Sequence, residues 1–112
     1  MTTALITHPD CIAHATPAHV DDQAARLGFV LRALEDLPLV KVEAPLAGKA
    51  RITALHDAEY VARIESSIPA SGFAILDAET DGETALCPTS WSALMRAVGA
   101  VQMAIDLVMS GQ

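Results

Sequence analysis

The sequence predicts an α/β fold in which short buried strands alternate with helices. Two apolar runs of strand length, residues 4–7 and 39–42, are separated by a stretch with helical periodicity. The chain has 112 residues, of which 52% are hydrophobic and 4% aromatic, enough for one modest core of aliphatic side chains. Strands that alternate with helices are typical of an α/β arrangement. We therefore expect one domain over residues 1–112, with short parallel strands and about four helices.

The first half of the chain supplies both predicted strands and the helix between them. Residues 8–26 carry three of the four histidines in a segment interrupted by prolines, which we predict to be a loop. Apolar residues then recur at helical spacing as far as Pro38, which ends this helix. Asp21 and Asp22 precede the periodic stretch, where the helix dipole favours negative charge.

The second half of the chain is predicted to be mainly helical. Residues 52–55 fit a short helix, and Asp57 can cap another that extends to Ile68. Residues 73–88 show no clean period and are predicted to form a loop. The longest predicted helix covers residues 89–110 and is followed by a glycine stop signal.

The helix predicted over residues 89–110 is apolar around most of its circumference. Its broad apolar stripe consists of Trp91, Leu94, Met95, Val98, Val101, Ile105, Val108 and Met109. Arg96, Gln102 and Asp106 interrupt the run and argue against a membrane span. Pairing the stripes of two copies would bury on the order of 1,000 Å² or more, comparable with a stable interface. We therefore expect a homodimer that forms through this helix.

Charge and cysteine content narrow the possible partners and compartment. The net charge of −7 and the lack of a basic cluster argue against nucleic-acid binding. Cys11 and Cys87 lie far apart and form neither a CxxC motif nor a disulfide framework, which predicts reduced thiols. The N-terminus has no basic region followed by a long apolar stretch, so no signal peptide is predicted. These features favour the cytoplasm.

The histidine-rich segment offers two interpretations. Five side chains of types that bind zinc lie within it: His8, Asp10, Cys11, His14 and His19. One interpretation is a small metal-binding protein built on residues 8–19. The other is that these groups hydrogen-bond the segment to itself and to the following helix, because their spacing matches no common zinc-finger pattern.

Other catalytic motifs are weak or missing. No serine lies in a GxSxG elbow, and no glycine-rich phosphate loop is present. Cys11 near His14 could form an activated thiol pair, although nothing in the sequence stabilises a thiolate. The acidic cluster is either a solvated loop or a rim that attracts a cationic ligand. It contains Asp77, Glu79, Asp81 and Glu83.

Four segments carry a resemblance to a known family. They are HPD with His14 and TPAH in residues 8–19, LHDAEYV in residues 55–61, LDAET in residues 76–80, and CPTSWSALMRAVGA in residues 87–100. In this order and spacing they resemble the zinc-dependent histone deacetylase and acetylpolyamine amidohydrolase family, over essentially the whole chain. Val20 and Gln23 or Ala24 replace prolines of the family pattern, and Glu79 stands where aspartate is usual.

The resemblance implies an arginase-like α/β domain that hydrolyses acetyl-amides. In the family a zinc held by two aspartates and a histidine polarises water and the carbonyl, and a His-His pair transfers protons. This sequence contains no two adjacent histidines. The resemblance therefore implies the N-terminal third of such a domain, with no catalytic residue, no zinc ligand and no cofactor of its own.

The resemblance also assigns supporting roles to three residues. His19 matches a loop position near the pocket entrance, Arg26 matches an arginine of the internal channel, and Asp77 lies in the segment that forms part of the substrate rim. The leading hypothesis is thus a deacetylase fragment that is inactive alone. A self-associating interaction module and a small metal-binding protein are the alternatives.

Overall fold

Two parallel strands form the N-terminal sheet. In the computed structural model, which describes residues 2–21 and 23–111, strand β1 (Thr3–Thr7) pairs with β2 (Leu39–Glu43) and places Ile6 opposite Val42. Parallel pairing needs a crossover connection, which here contains helices α1 (Pro9–Ala13) and α2 (Ala24–Ala33). The predicted α/β class with short parallel strands is confirmed.

Helix α1 corrects the prediction that residues 8–26 form a loop throughout. Pro9 occupies the first helical position, where its missing N–H is not needed. His8 caps the helix, because the backbone N–H of Asp10 donates to His8 Nδ1 at 3.0 Å. The described residues contain five helices as a result, one more than expected.

Helix α2 is shorter than its periodicity predicts. It ends at Ala33, and residues 34–37 form turns instead of continuing to Pro38. Proline disfavours the helical conformation in the residue before it, so the helix does not reach Leu37. At the other end Gln23 is the N-cap, with no side-chain cap. Asp21 lies before that cap, and Asp22 is outside the described residues.

The remaining elements follow in chain order and include a hairpin that the sequence analysis missed. They are α3 (Lys49–Thr53), α4 (Ala58–Ser66), β3 (Ala74–Ile75), β4 (Ala85–Leu86) and α5 (Ser90–Met109). The predicted cap of α4 is confirmed, since Asp57 Oδ1 accepts from the Glu59 N–H at 2.8 Å. Strands β3 and β4 pair antiparallel, so the prediction of a loop over residues 73–88 is wrong at both of its ends.

The middle of α5 packs directly on the segment that leaves β2. A Cβ added to Gly99 would fall far inside van der Waals contact with the carbonyl of Pro45. Near this contact the Ala47 N–H donates to the Met95 carbonyl at 3.1 Å, and Arg96 Nη1 donates to the Ala44 carbonyl at 2.9 Å. The backbone of the β2–α3 connection therefore lies against one face of α5 with no side chain between them.

The core is small and lies around the N-terminal half of α5. Its buried apolar residues are Val20, Ala44, Val61, Ala85, Leu86, Cys87, Ala93 and Met95. Towards its C-terminus α5 becomes exposed, reaching 76% at Val108 and 80% at Met109. The radius of gyration is 15.7 Å, against about 13 Å for a compact domain of this length. The described fold is thus elongated and leaves apolar helix surface uncovered.

Helix α5 is also long and apolar enough to cross a membrane, judged by length and composition alone. Of its most apolar 18-residue stretch, 17% is buried in the fold. Arg96 in this helix is half-buried and forms an ion pair with Asp10, with Nε 3.0 Å from Oδ2. Because an ion pair with another element ties α5 to the rest of the fold, we keep the expectation of no membrane span as a prediction.

The close approach at Gly99 gives a direct test of the fold. Gly99→Ala should lower the free energy of unfolding by about 1–3 kcal/mol, because the methyl group would push Pro45 away from α5. Urea titration followed by circular dichroism measures the change.

Gly28→Ala is the matched control, because nothing lies within 4 Å of the position of its added methyl group in the middle of α2. It should be stabilising by about 0.5–1 kcal/mol, since alanine favours the helix more than glycine does. A Gly99→Ala protein as stable as wild type would contradict the close packing.

Candidate functional site

A cleft of about 420 Å³ separates the histidine-rich segment from the N-terminal half of α5. Its polar lining comes from Cys11, His14, Thr16, Glu83, Thr84 and Ser90, and its apolar lining from Ala85, Leu86, Ala93, Leu94 and Ala97. The cleft therefore brings together three separate parts of the sequence: the segment after β1, the β3–β4 hairpin and α5.

A hydrogen-bonded cluster lies at the wall of this cleft. His14 Nδ1 is 2.7 Å from Ser90 Oγ, although these residues are 76 positions apart. Ser90 Oγ accepts from the Cys87 N–H at 2.8 Å and lies 3.5 Å from Cys87 Sγ, to which it can donate. Ser90 is completely buried. One serine hydroxyl thus connects an imidazole that lines the cleft with a buried sulfur.

Hydrogen bonds surround the sulfur of Cys87. The Ala15 N–H donates to Cys87 Sγ at 3.3 Å, and Thr89 Oγ1 is also 3.3 Å from it. Burial raises the pKa of this thiol, but hydrogen bonds from Ser90, Thr89 and the Ala15 backbone outweigh it and lower the pKa to about 6. The cluster therefore favours the thiolate, the nucleophilic form of cysteine.

The second cysteine lies in the opposite electrostatic environment. Cys11 lines the same cleft, and its sulfur is 4.0 Å from the Ala93 carbonyl. Burial and the nearby Asp10 carboxylate raise the pKa of Cys11 above its ordinary value of 9.0. The structure therefore places His14 on Ser90 and gives no support to the Cys11–His14 thiol pair considered from the sequence.

The N-terminal end of α1 is organised by an ion pair with α5. Asp10 Oδ2 accepts from Arg96 Nε at 3.0 Å. His8 Nδ1 also lies 3.3 Å from Asp10 Oδ2, but the same nitrogen accepts the Asp10 N–H. A nitrogen that accepts this hydrogen bond carries no proton, so we assign the Asp10 ion pair to Arg96 and a capping role to His8.

The five zinc-type side chains of residues 8–19 are distributed among different partners. His8 caps α1, Asp10 pairs with Arg96, Cys11 approaches Ala93, His14 contacts Ser90, and His19 contacts Gly82. Among the described residues, no three His, Cys, Asp or Glu side chains form a group that could hold a metal ion. The metal-binding alternative receives no support from this arrangement.

Asp77 organises the acidic loop that follows β3. Its Oδ1 accepts from the Thr84 N–H at 2.9 Å and its Oδ2 from Thr84 Oγ1 at 3.3 Å, while the Glu83 N–H lies 3.4 Å from Oδ2. The hydrogen bond from the Thr84 backbone, assisted by the others, lowers the pKa of this carboxyl from its ordinary 3.8. Glu79, Asp81 and Glu83 remain exposed on the loop.

His19 and Asp77 are connected through Gly82 of this loop, whereas Arg26 lies apart from it. His19 Nε2 is 3.0 Å from the Gly82 carbonyl, and the Gly82 N–H donates to the Asp77 carbonyl at 3.0 Å. Arg26 is exposed on α2, and within the described residues its side chain makes no hydrogen bond or ion pair. Two of the three residues proposed from the sequence therefore share one contact network, and the predicted roles of all three stay predictions.

Ser90 and Cys87 are the site residues that the sequence analysis missed. Their relation to each other is local, because residues 87–90 form the turn that starts α5. A cysteine three positions before a serine at a helix start is a signal that could have identified the pair. Their partners Ala15 and His14 are more than seventy positions away, and no pattern in the chain indicates that contact.

Comparison with known proteins gave one family match. A family model described as the histone deacetylase domain matches residues 19–112. The matched region begins at His19 and contains the acidic loop, the Cys87–Ser90 turn and all of α5. A search of the curated proteins found no match.

The lowered pKa of Asp77 gives a pH prediction with a defined sign. Its folded-state pKa is below 3.8, so the carboxylate stabilises the loop above that pH and loses this effect as the pH falls through the folded-state value. The protection factor of the Thr84 amide, which is its exchange rate relative to that of an unstructured amide at the same pH, should therefore stay high above pH 4 or so and fall below it.

Asp77→Asn should accelerate exchange of the Thr84 amide at neutral pH as well, because the amide side chain is a weaker acceptor. Asp81→Asn is the control for charge alone, since Asp81 is exposed in the same loop. Equal exchange rates in both variants would contradict the role assigned to Asp77.

Proposed function

The chain belongs to the histone deacetylase family, and from that premise we propose that these 112 residues form the supporting N-terminal part of a zinc-dependent deacetylase domain. The reaction of the whole domain would be hydrolysis of acetyl-lysine or acetylpolyamine amides. On its own, the chain described above would be inactive.

The observation that carries this proposal is a family match without the family's catalytic groups. Residues 19–112 match the family model, yet the sequence contains no adjacent pair of histidines. The His, Cys, Asp and Glu side chains of the described residues also do not fit the zinc that the family implies, because no three of them form a group that could hold a metal ion. Zinc would supply Lewis-acid polarisation of the substrate carbonyl, and we derive no such step for these residues.

The described residues can instead shape and charge a substrate entrance. Asp77 holds the acidic loop through its hydrogen bonds, and His19 fastens that loop to the segment before α2. The exposed carboxylates of the loop create a negative surface that favours a cationic substrate chain. These contacts support the entrance role of His19 and the rim role of Asp77, while exposed Arg26 would line a channel completed by other segments.

The activity test uses the purified 112-residue chain with added zinc. We expect no zinc-dependent release of acetate from acetyl-lysine peptides or acetylpolyamines, because the described residues form no metal-binding group and the sequence has no adjacent histidines. An active deacetylase assayed in parallel verifies the substrates, and a chelator-treated sample sets the background.

Turnover that requires zinc and survives repeated purification would contradict the proposal. If the reading frame continues past residue 112, the longer product is the matched comparison. It should gain activity if the continuation contains adjacent histidines and an aspartate–histidine ligand set.

A second candidate function, self-association through α5, is favoured by exposed apolar surface. Val101, Ile105, Val108 and Met109 lie in the C-terminal half of α5 and are all more than half exposed. We propose that a second copy covers this stripe when the chain is alone. Burying two such stripes would remove on the order of 1,000 Å², close to the lower limit for a specific interface.

Light scattering or sedimentation at micromolar concentration tests this candidate. The chain should be dimeric, and Ile105→Glu should weaken the dimer about tenfold or more, because it places charge in the apolar stripe. Ser92→Glu adds the same charge at an exposed position near the start of α5 and should leave the dimer intact. A folded wild-type chain that stays monomeric would exclude the interface.

A further inference from the structure

The environment of Cys87 has a chemical capacity that the proposed function does not use. Its sulfur faces the Ala15 N–H at 3.3 Å and the Ser90 hydroxyl at 3.5 Å, while the Thr89 hydroxyl, 3.3 Å away, gives its proton to the Ala13 carbonyl. Two groups that can donate hydrogen bonds to one sulfur stabilise a negative charge there. Packing alone does not need such an arrangement, because a buried cysteine usually behaves as a small apolar residue.

The proton positions in the cluster define two states. Ser90 has a single hydroxyl proton, and its oxygen already accepts the Cys87 N–H. In one state Ser90 donates to His14 Nδ1, and the thiol keeps its own proton. In the other, His14 Nδ1 donates to Ser90 Oγ and Ser90 donates to the thiolate, so the thiol proton has moved along the chain of contacts to the imidazole.

The neighbours of the buried sulfur reach both the surface and the cleft. Cys87 is 4% exposed, but the next two residues, Pro88 and Thr89, are exposed. Because Thr89 Oγ1 lies 3.3 Å from the sulfur, an exposed residue is its direct neighbour. On the other side, His14 and Ser90 line the cleft of about 420 Å³. The sulfur therefore lies beside an exposed residue, and the proton carrier His14 borders the cleft.

We propose that Cys87 is a modification site, a thiolate that small hydroperoxides oxidise to a sulfenic acid, with Ser90 and His14 as its proton path. The sulfur attacks the terminal peroxide oxygen, an S–O bond forms, and the O–O bond breaks. Sulfur loses two electrons and the peroxide gains them. The alkoxide or hydroxide that leaves takes the proton held on His14, so the products are the sulfenic acid and an alcohol or water.

Both cysteines can be followed in one sample, which makes Cys11 an internal control. Trypsin places Cys11 in the peptide 1–26 and Cys87 in the peptide 64–96. We would treat the folded chain with hydrogen peroxide in the presence of dimedone, which traps sulfenic acids, and then digest it. The proposal expects the adduct on the Cys87 peptide, with little on the Cys11 peptide.

The pH dependence of alkylation tests the thiolate independently of access, because partial burial scales the rate equally at every pH. With limiting iodoacetamide, modification of Cys87 should be half-maximal near its pKa of about 6. Modification of Cys11 should be half-maximal above the ordinary thiol pKa of 9.0. Equal midpoints, or a Cys87 midpoint near 9, would overturn the proposal.

Ser90→Ala should raise the pH at which alkylation of Cys87 is half-maximal and slow this alkylation at pH 7 by about three- to sixfold. The rate falls because less thiolate is present, and the greater nucleophilicity of a more basic sulfur offsets part of the fall. His14→Ala is the second variant if Ser90→Ala does not fold, and it should also raise the midpoint, because it removes the group that receives the thiol proton. A Cys87 that reacts only after urea unfolds the chain would also overturn the proposal. Neither outcome depends on deacetylase activity. This inference can therefore fail while the proposed function stands, and the proposed function can fail while this inference stands.

Discussion

The close backbone contact between Pro45 and Gly99 is the constraint on which the rest of the fold depends. It lets the segment after β2 lie against α5, where the Ala47 N–H and the Ala44 carbonyl find partners on that helix. Arg96 takes part twice, because it binds the Ala44 carbonyl and the Asp10 carboxylate at once. The N-terminal sheet and α1 are therefore held on one face of one helix.

The position of the Cys87 cluster follows from this arrangement. Once Asp10 is tied to Arg96, the chain after α1 runs past the start of α5, and Thr89 Oγ1 can donate to the Ala13 carbonyl at 2.7 Å. Thr89 makes no capping hydrogen bond to α5, and its side chain binds the Ala13 carbonyl instead. Two adjacent side chains at the start of α5, Thr89 and Ser90, thus bind the histidine-rich segment and the sulfur.

Local signals in the sequence were sufficient for some elements and insufficient for others. Asp57 caps α4 through a bond two residues away, and the apolar period of α5 continues over twenty residues, so both could be predicted. Helix α1 was missed because Pro9 was interpreted as a helix breaker, although at the first helical position it loses nothing. The His14–Ser90 contact depends on tertiary packing across the whole chain, and periodicity carries no information about it.

The distribution of apolar surface explains why the site is formed at only one end of α5. The N-terminal half of this helix is covered by α1, β1 and the β2–α3 connection, and there the polar groups have partners. The C-terminal half carries side chains of the same apolar character, and one stripe of it is exposed, with Val108 at 76%. Apolar side chains stabilise a fold only when they are removed from water. The exposed stripe of α5 therefore contributes little to the stability of the chain in this arrangement. A segment that covers this surface in a larger domain would therefore prevent the pairing of two copies.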